Sequence, residues 1–464
     1  MTAPASGGGV APGLWRHPGF RKLWGAQAVS VLGAQITELA LPLTAVTVLH
    51  ASAFQVGLLA AVQYLPFLVI GLPAGAWVDR LRRRPVMVVA DLARFAVLLA
   101  VPLAAWFGVL QLWLLFPVAA VIGVLTVFFD LAAQSFLPAL IGEERLVEGN
   151  TKLQLAQTSG QLAGPSAGGL LAQLVGAPVA VAANAVGYAV SGLLLLAVRV
   201  DEEKPRRGAG PGLIAEIREG LGYVFRHPLL RPIALSAGIG NLFGLFGMVQ
   251  AVLVLYCVRE LQLSPGELGG VLAVANAGVL LGAAVNGRVV RRWGVGSALL
   301  GATVAMGLAL LLLPLAGPAT ALPVLGAAMA LSGLCAAVFN VNQVSLRQAV
   351  TPAELRGRMT ATLRFVVWGV IPLGTFLGGA LAGPLGLRGV LWLAGAGAVL
   401  AGLPLLTPAV RALRDLPAAV ATDPVATEPA ATEPAATDPA QAGPAAHAGG
   451  PTKADGPTKE DQHV

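Results

Sequence analysis

Glu38 is the side chain that most demands an account. It stands sixteen residues after Lys22 in an apolar run with no charge between them, about 24 Å further along a helix. A carboxyl group inside a bilayer is costly and marks a functional candidate by default. Burial raises its proton affinity towards the range a proton carrier needs. No basic residue lies near it on the same run, so proton coupling is the sharper reading. The plainer one is a glutamate that reaches the outer interface. Two glycine patterns follow. Gly75 to Arg84 reads GAWVDRLRRR. Here Gly75 would let another helix approach closely. Asp79 stands i,i+4 to Arg83 and can accept hydrogen bonds from the N–H groups at a neighbouring helix start. With Arg80 and Arg84, this spacing fits a gating latch better than ordinary loop charge. Gly160 to Gly169 reads GQLAGPSAGG. Gly160, Gly164, Gly168 and Gly169 permit tight helix contact, and Pro165 removes one helix hydrogen bond and bends the chain.

Other polar groups inside apolar runs are weaker signals. Asp130 is expected to pair with Arg80 or Arg83 and join the latch. Asp91 and Arg94, at i,i+3, are expected to satisfy each other. Gln35, Gln63, Phe129, Asn241, Phe246, Asn340 and Gln343 are candidate cavity residues, with Gln250 and Asn276 among the other amides. Each alone is more often packing than ligand. Aromatics, amides and one carboxylate together suit large amphipathic or cationic solutes. No metal-ligand cluster or nucleophilic triad is visible, so no catalytic residue, metal or cofactor is expected. The chain is not read as an enzyme. The absence of a Gly-x-x-x-x-Gly-Lys-Ser/Thr loop argues against an ATP-driven pump.

The elements that must position these residues follow from composition. Of 464 residues, 56% are hydrophobic and only 11% charged, against roughly 25% charged in soluble domains. Mean hydropathy is +0.76. A soluble enzyme, a disordered chain and a disulfide-stapled domain are excluded. Apolar runs near the bilayer-spanning length recur along the chain, and they are continuous rather than alternating, which excludes a membrane β-barrel. The expectation is an all-α polytopic membrane protein with twelve spans. We place these at 21–48, 54–77, 85–106, 111–136, 151–174, 178–198, 229–257, 265–288, 297–316, 320–346, 358–383 and 387–406. Cys257 and Cys335 fall in apolar runs and read as small packing residues.

Charge orients the spans. Of the 30 Lys and Arg residues, 25 fall on one side, with only Arg259 and Arg388 on the other. The positive-inside rule then places both termini in the cytoplasm. The same loops explain the basic balance without nucleic acid. Residues 1–19 form an N-terminal cytoplasmic segment and 20–198 a first six-helix bundle. Residues 199–228 form a charged connector with an amphipathic stretch around Leu213–Phe225, 229–406 a second bundle, and 407–464 a disordered tail of Ala-Thr-Asp/Glu-Pro repeats. An internal repeat supports two bundles: Gly75, Arg84, Gln134, Gly164, Gly168 and Gly169 match Gly282, Arg291, Gln343, Gly374, Gly378 and Gly379 at offsets of 207 to 210.

GAWVDRLRRR resembles the loop 2–3 signature of the major facilitator superfamily, with Arg82 where a glycine is usual. GQLAGPSAGG is similar to the span-5 antiporter signature of its efflux members. Asp91-Leu-Ala-Arg94, Ser135-Phe-Leu-Pro138 and Glu354-Leu-Arg-Gly-Arg358 look like the branch containing enterobactin exporters and macrolide efflux proteins. The resemblance covers residues 20 to 406. It implies two pseudo-symmetric six-helix bundles, alternating access and proton-driven export from a bacterial cytoplasmic membrane. The expected partners are a small-molecule substrate such as an antibiotic, drug or siderophore, protons and the lipid bilayer, with a monomer as the default state. Many drug exporters of this superfamily carry an arginine in span 4. This chain has none there, so that coupling chemistry does not transfer. An importer on the same fold, or a membrane receptor or lipid-handling protein, are the alternatives.

Overall fold

The computed structural model describes residues 13–78, 80–200, 202, 213–415 and 417. The expected tail from 418 on, connector residues 201 and 203–212, and Asp79 lie outside the described residues. What is described is helical. The first half holds α1 Pro18–Leu43, α2 Ala53–Val69, α3 Gly71–Val78, α4 Arg83–Trp106, α5 Leu112–Ile141, α6 Leu146–Val175 and α7 Ala177–Leu196. An amphipathic helix, α8 Leu213–Arg226, occupies the connector as expected. The second half holds α9 Leu230–Phe243, α10 Met248–Leu255, α11 Pro265–Trp293, α12 Val295–Leu310, α13 Ala321–Val350, α14 Ala353–Gly369 and α15 Ile371–Leu400.

Among the described residues nine helical segments are long and apolar enough to cross a membrane. Twelve spans form when shorter pieces are joined. α2 with α3 makes span 2, α9 with α10 makes span 7, and α14 with the first part of α15 makes span 11. α15 turns at Gly386, whose φ of 70° is open to glycine at little steric cost, so its second part is span 12. Gly176, 210 residues earlier, makes the matching turn between α6 and α7 at φ 89°. α6 is span 5, and it runs unbroken through Pro165. Its first four turns carry Asn150, Lys152, Gln154 and Gln157, which makes it less apolar than its neighbours.

The repeat is sharpest at the turns opposite the basic loops. α1 ends in a wide π turn, Thr44–Val48, and α10 in another, Tyr256–Glu260. His50 and Gln262 then take positive φ, 52° and 57°. Ser52 caps α2 and Ser264 caps α11 through reciprocal bonds with Gln55 and Glu267. Each pair is 212 residues apart, and the capping distances agree: 2.8 and 3.3 Å in both.

Packing divides the molecule into halves. α1 lies on α6 and α7, and α4 on α5 and α7. In the second half α13 lies on α11 and α12, and α15 on α9, α10 and α12. The halves meet through α2 with α10, α14 and α15, and through α6 with α11. At the end away from the basic loops, one buried apolar cluster runs through both halves, from Leu41 and Leu59 to Leu253 and Leu391. At the basic end each half keeps its own cluster, around Phe136 in the first and around Leu299 in the second. Among the described residues, the far end is therefore joined by apolar burial, while the basic end is not.

Candidate functional site

Glu38 lies in the last third of α1, half-buried. Gln35, one turn earlier, donates its amide to Glu38 Oε2 at 2.9 Å. The Tyr64 hydroxyl on α2 stands 3.4 Å from Glu38 Oε1, long for an O–H···O bond. Gln250 lies on α10, which packs on α2 from the opposite half. Its own Oε1 is buried without a partner. No ion pair to Glu38 is found among the described residues.

The span-5 glycines position this group. A Cβ on Gly164 would overlap the Gln35 side chain, and one on Gly160 would press on Val31. Gly168 lies against the backbone of Ile36. α6 thus supports α1 along residues 31 to 36 and holds Gln35 where it can orient Glu38. Gly169 faces the other way, towards the α11 backbone at Pro265 and Gly269. Its repeat mate Gly379 meets Gly57 of α2 in the same manner. These two glycine pairs seal the far end between the halves. Arg259 adds a bond to the Ala51 carbonyl at 2.9 Å, and Gln173 accepts from Gly266 N at 3.1 Å.

Towards the basic end an aromatic row continues from Tyr64. Its ring lies 6.5 Å from Phe67, which lies 5.8 Å from Trp368 on α14. Asp130 follows, and its placement corrects the expectation. It faces Arg364 of α14 at 3.9 Å rather than Arg80 or Arg83. The latch residues behave differently from one another. Among the described residues, no atom lies within 4 Å of a Cβ built on Gly75, so the close approach expected there is not made. Arg80 is exposed. Arg83 and Arg84 donate their backbone N–H groups to the two oxygens of Glu202, at 2.7 and 2.8 Å. The Arg84 side chain binds the carbonyls of Leu195 and Leu196 at the end of α7. A connector carboxylate therefore caps α4, a contact that residue spacing does not reveal.

The remaining candidates scatter. Phe129 is 3% exposed and packs 4.3 Å from the Arg94 guanidinium, with Tyr188 at 4.4 Å on the same group. It serves the interior of the first half rather than a cavity wall. Arg94 and Asp91 pair at 2.6 Å as expected, and Ser191 completes the carboxylate. Asn241 donates to the Val367 carbonyl at 2.8 Å. Phe246 is exposed in the break between α9 and α10, and Gln63 is half-buried on α2. Asn340 and Gln343 begin a ladder that Arg347 extends, at 2.9 and 2.8 Å. An open cleft of about 410 Å³ runs along the basic half of α6, lined by Asn150, Thr151, Gln154, Leu155 and Thr158. Glu148, at the start of α6, accepts from Lys152 and from Leu14 N. These bonds, with Lys152 foremost, hold its carboxyl below the usual range. No group of three or more His, Cys, Asp or Glu is placed to hold a metal among the described residues.

A sequence model of the Major Facilitator Superfamily matches residues 23–319 and 239–440. The chain belongs to that superfamily: it is a multi-pass, all-helical membrane transporter and not an enzyme. It is similar to the multidrug efflux pump Tap of Mycolicibacterium fortuitum, with 30% identity over 355 residues, 73% of this chain and 83% of that one. It is also similar to macrolide efflux protein A of Streptococcus pyogenes, with 22% identity over 86% of this chain and 97% of that one. Among solved structures it shares its fold with the nucleoside transporter NupG (TM-score 0.68, 13% identity, 84% of this chain and 98% of that one). A bacterial homologue of the iron transporter ferroportin, in an inward-facing state, aligns with TM-score 0.65 and 18% identity over 85% of this chain and 99% of that one.

Proposed function

We propose that the chain is a proton-coupled antiporter that exports an amphipathic or hydrophobic small molecule, of the antibiotic, drug or siderophore kind. The observation that carries this reading is the Glu38 carboxyl, held by Gln35 and approached by Tyr64 of α2, with no cation paired to it among the described residues. An unpaired acid inside a membrane helix is a site for a proton or a cationic solute. The relatives named as multidrug and macrolide efflux proteins support the direction and the solute class.

In this reading the basic end is cytoplasmic, both termini lie on that side, and the membrane is the bacterial cytoplasmic one. Residues 20–198 and 229–406 are the two moving bundles, joined by 199–228. Solute enters from the basic end, where the halves have separate cores and the α6 cleft is open. The aromatic row from Tyr64 to Trp368, with Gln35, Gln63, Asn241, Asn340 and Gln343, provides contacts of mixed polarity. Asp79, Arg80, Arg83, Arg84 and the Asp130–Arg364 pair act as the gate at that end. The span-5 glycines keep α1 and Glu38 in register.

The test uses everted membrane vesicles energised by respiration, with an acridine dye reporting the proton gradient. Erythromycin, tetracycline, ethidium and enterobactin are added in turn. One or more of them should collapse part of the gradient in wild type and none in Glu38→Gln at equal membrane levels. Gradient collapse of equal size in both proteins would remove Glu38 from coupling. Collapse by no compound would reject export of this solute class.

A further inference from the structure

At the basic end an apolar groove of about 280 Å³ opens on the first half. It is lined by Pro85, Val86, Val89 and Ala90 of α4 and by Leu125 and Phe128 of α5. α4 packs on α5 and α7, both of the same half, and Val89 is exposed. The groove therefore opens to the bilayer and not between the halves. Trp77, at the end of α3, extends its wall. The indole stacks on Phe128 with ring centroids 6.3 Å and planes 10° apart, and its other face is exposed.

The mouth of the groove is basic. Arg82 is the N-cap residue of α4, exposed and without a side-chain capping bond. Pro85, Val86 and Val89 follow it at i+3, i+4 and i+7, the spacing that places residues on one helix face. Val89 stands about 10 Å deeper than Arg82 along that face. Arg80, two residues earlier, is also exposed. The neighbouring donors are already used. Glu202 takes the backbone N–H groups of Arg83 and Arg84, and the Arg84 side chain binds the Leu195 and Leu196 carbonyls. Arg82 makes no hydrogen bond or ion pair among the described residues.

We propose that the groove is a binding site for one anionic phospholipid of the leaflet at the basic end. Its phosphate lies on Arg82, and the upper part of one acyl chain lies along Val86, Val89, Leu125 and Phe128. A guanidinium matches phosphate oxygens two at a time, and basic side chains at a membrane surface attract anionic headgroups. A zwitterionic headgroup with a terminal ammonium brings that cation towards the same two arginines. The groove is too small for a partner helix, about 10 Å across.

The repeat restricts the site to one half. At the offset of 207 that relates Gly75 to Gly282, Ala284 replaces Trp77 and Val289 replaces Arg82. At the offset of 209 that relates Gln134 to Gln343, Ala337 replaces Phe128. The second half lacks both the aromatic wall and the cation at its mouth, so one site per chain is expected.

Native mass spectrometry of the full chain tests this without any transported compound. Dioleoylphosphatidylglycerol or dioleoylphosphatidylcholine is titrated into delipidated protein, and the affinity of the first bound lipid is measured. Wild type should hold one phosphatidylglycerol more tightly than phosphatidylcholine. Arg82→Gln should weaken phosphatidylglycerol about fivefold and change phosphatidylcholine little. Val89→Trp fills the groove and should weaken both lipids, whereas Val186→Trp, on the exposed face of α7, should weaken neither. Equal affinity of wild type for the two lipids would overturn the proposal. So would a loss in Arg292→Gln, an exposed arginine at the end of α11, as large as that in Arg82→Gln. Unchanged binding in Val89→Trp would also overturn it.

Discussion

Glu38 and Gln250 occupy one position of a repeated backbone, 212 residues apart like the two π turns, yet only the first can lose a proton. The surroundings differ as well. Glu38 has Gln35 one turn before it, held by Gly164. The residue 212 positions after Gln35 is Gly247, in the break between α9 and α10, where Gly374 packs on backbone instead. The first half thus presents a braced acid, and the second half presents an amide on a helix that has just restarted. Repetition accounts for the scaffold, the caps and the sealing glycine pairs. The chemistry comes from the places where the repeat was broken.

The largest effect should come from removing the acid. Glu38→Gln makes the two positions alike, and gradient-driven transport should fall by at least ~100-fold, the scale on which a group used directly in proton transfer acts. Vesicle assays at matched protein levels measure this. Moving the acid across the repeat, in Glu38→Gln with Gln250→Glu, should leave transport below about a tenth of wild type, since position 250 has no counterpart of Gln35 to orient a carboxyl. Full recovery would show that the brace is dispensable.

Glycine substitutions give an intermediate test. Gly164→Ala pushes on the Gln35 side chain, whereas Gly374→Ala meets the Leu242 carbonyl and the Gly247 backbone. Both should lower thermal stability, by about 1–3 kcal/mol for overpacked helix contacts. Only Gly164→Ala should also move the pH profile of transport. Equal profiles for the two variants would show that α6 supports packing alone.

Smaller effects are expected at the basic end. Asp130 and Arg364 are 3.9 Å apart and each more than a third exposed, so the pair contributes about 0.2–1 kcal/mol. Asp130→Asn and Arg364→Gln should each change the transport rate by a few-fold at most, and the double variant should add little to either. Strict additivity would show that the two do not act together. Glu148 should matter least. Its carboxyl is held below the ordinary value, so the stability it lends is present at neutral pH. That stability is lost as pH falls through the lowered value. Glu148→Gln should therefore lower the melting temperature slightly at pH 7 and not at all in strong acid.

Much of this was legible in the sequence. Apolar run lengths gave the helices, and i,i+3 spacing gave the Asp91–Arg94 pair. The GQLAGPSAGG glycines were readable as a contact surface, and Glu38 as an isolated acid. What stayed hidden were contacts between elements distant in the chain. Nothing local tells that Asp130 meets Arg364, that Glu202 caps α4, or that Phe129 folds inward over Arg94. Gly75 has the spacing of a contact residue and makes none among the described residues. The Glu38–Gln250 relation was within reach: Leu49, Ser52, Gln55 and Gly57 recur as Leu261, Ser264, Glu267 and Gly269. That 212-residue offset aligns the acid with the amide. It lies in the far-end turns, whereas the offsets of 207 to 210 come from elsewhere in the halves.

The most direct test separates movement of the solute from coupling to protons. Wild type and Glu38→Gln are reconstituted in liposomes with erythromycin, or whichever compound the vesicle assay identifies. Exchange at equilibrium is compared with accumulation driven by an imposed pH gradient. The expected result is that Glu38→Gln retains exchange and loses driven accumulation. Driven accumulation that persists in Glu38→Gln would contradict the assignment of Glu38 as the proton site.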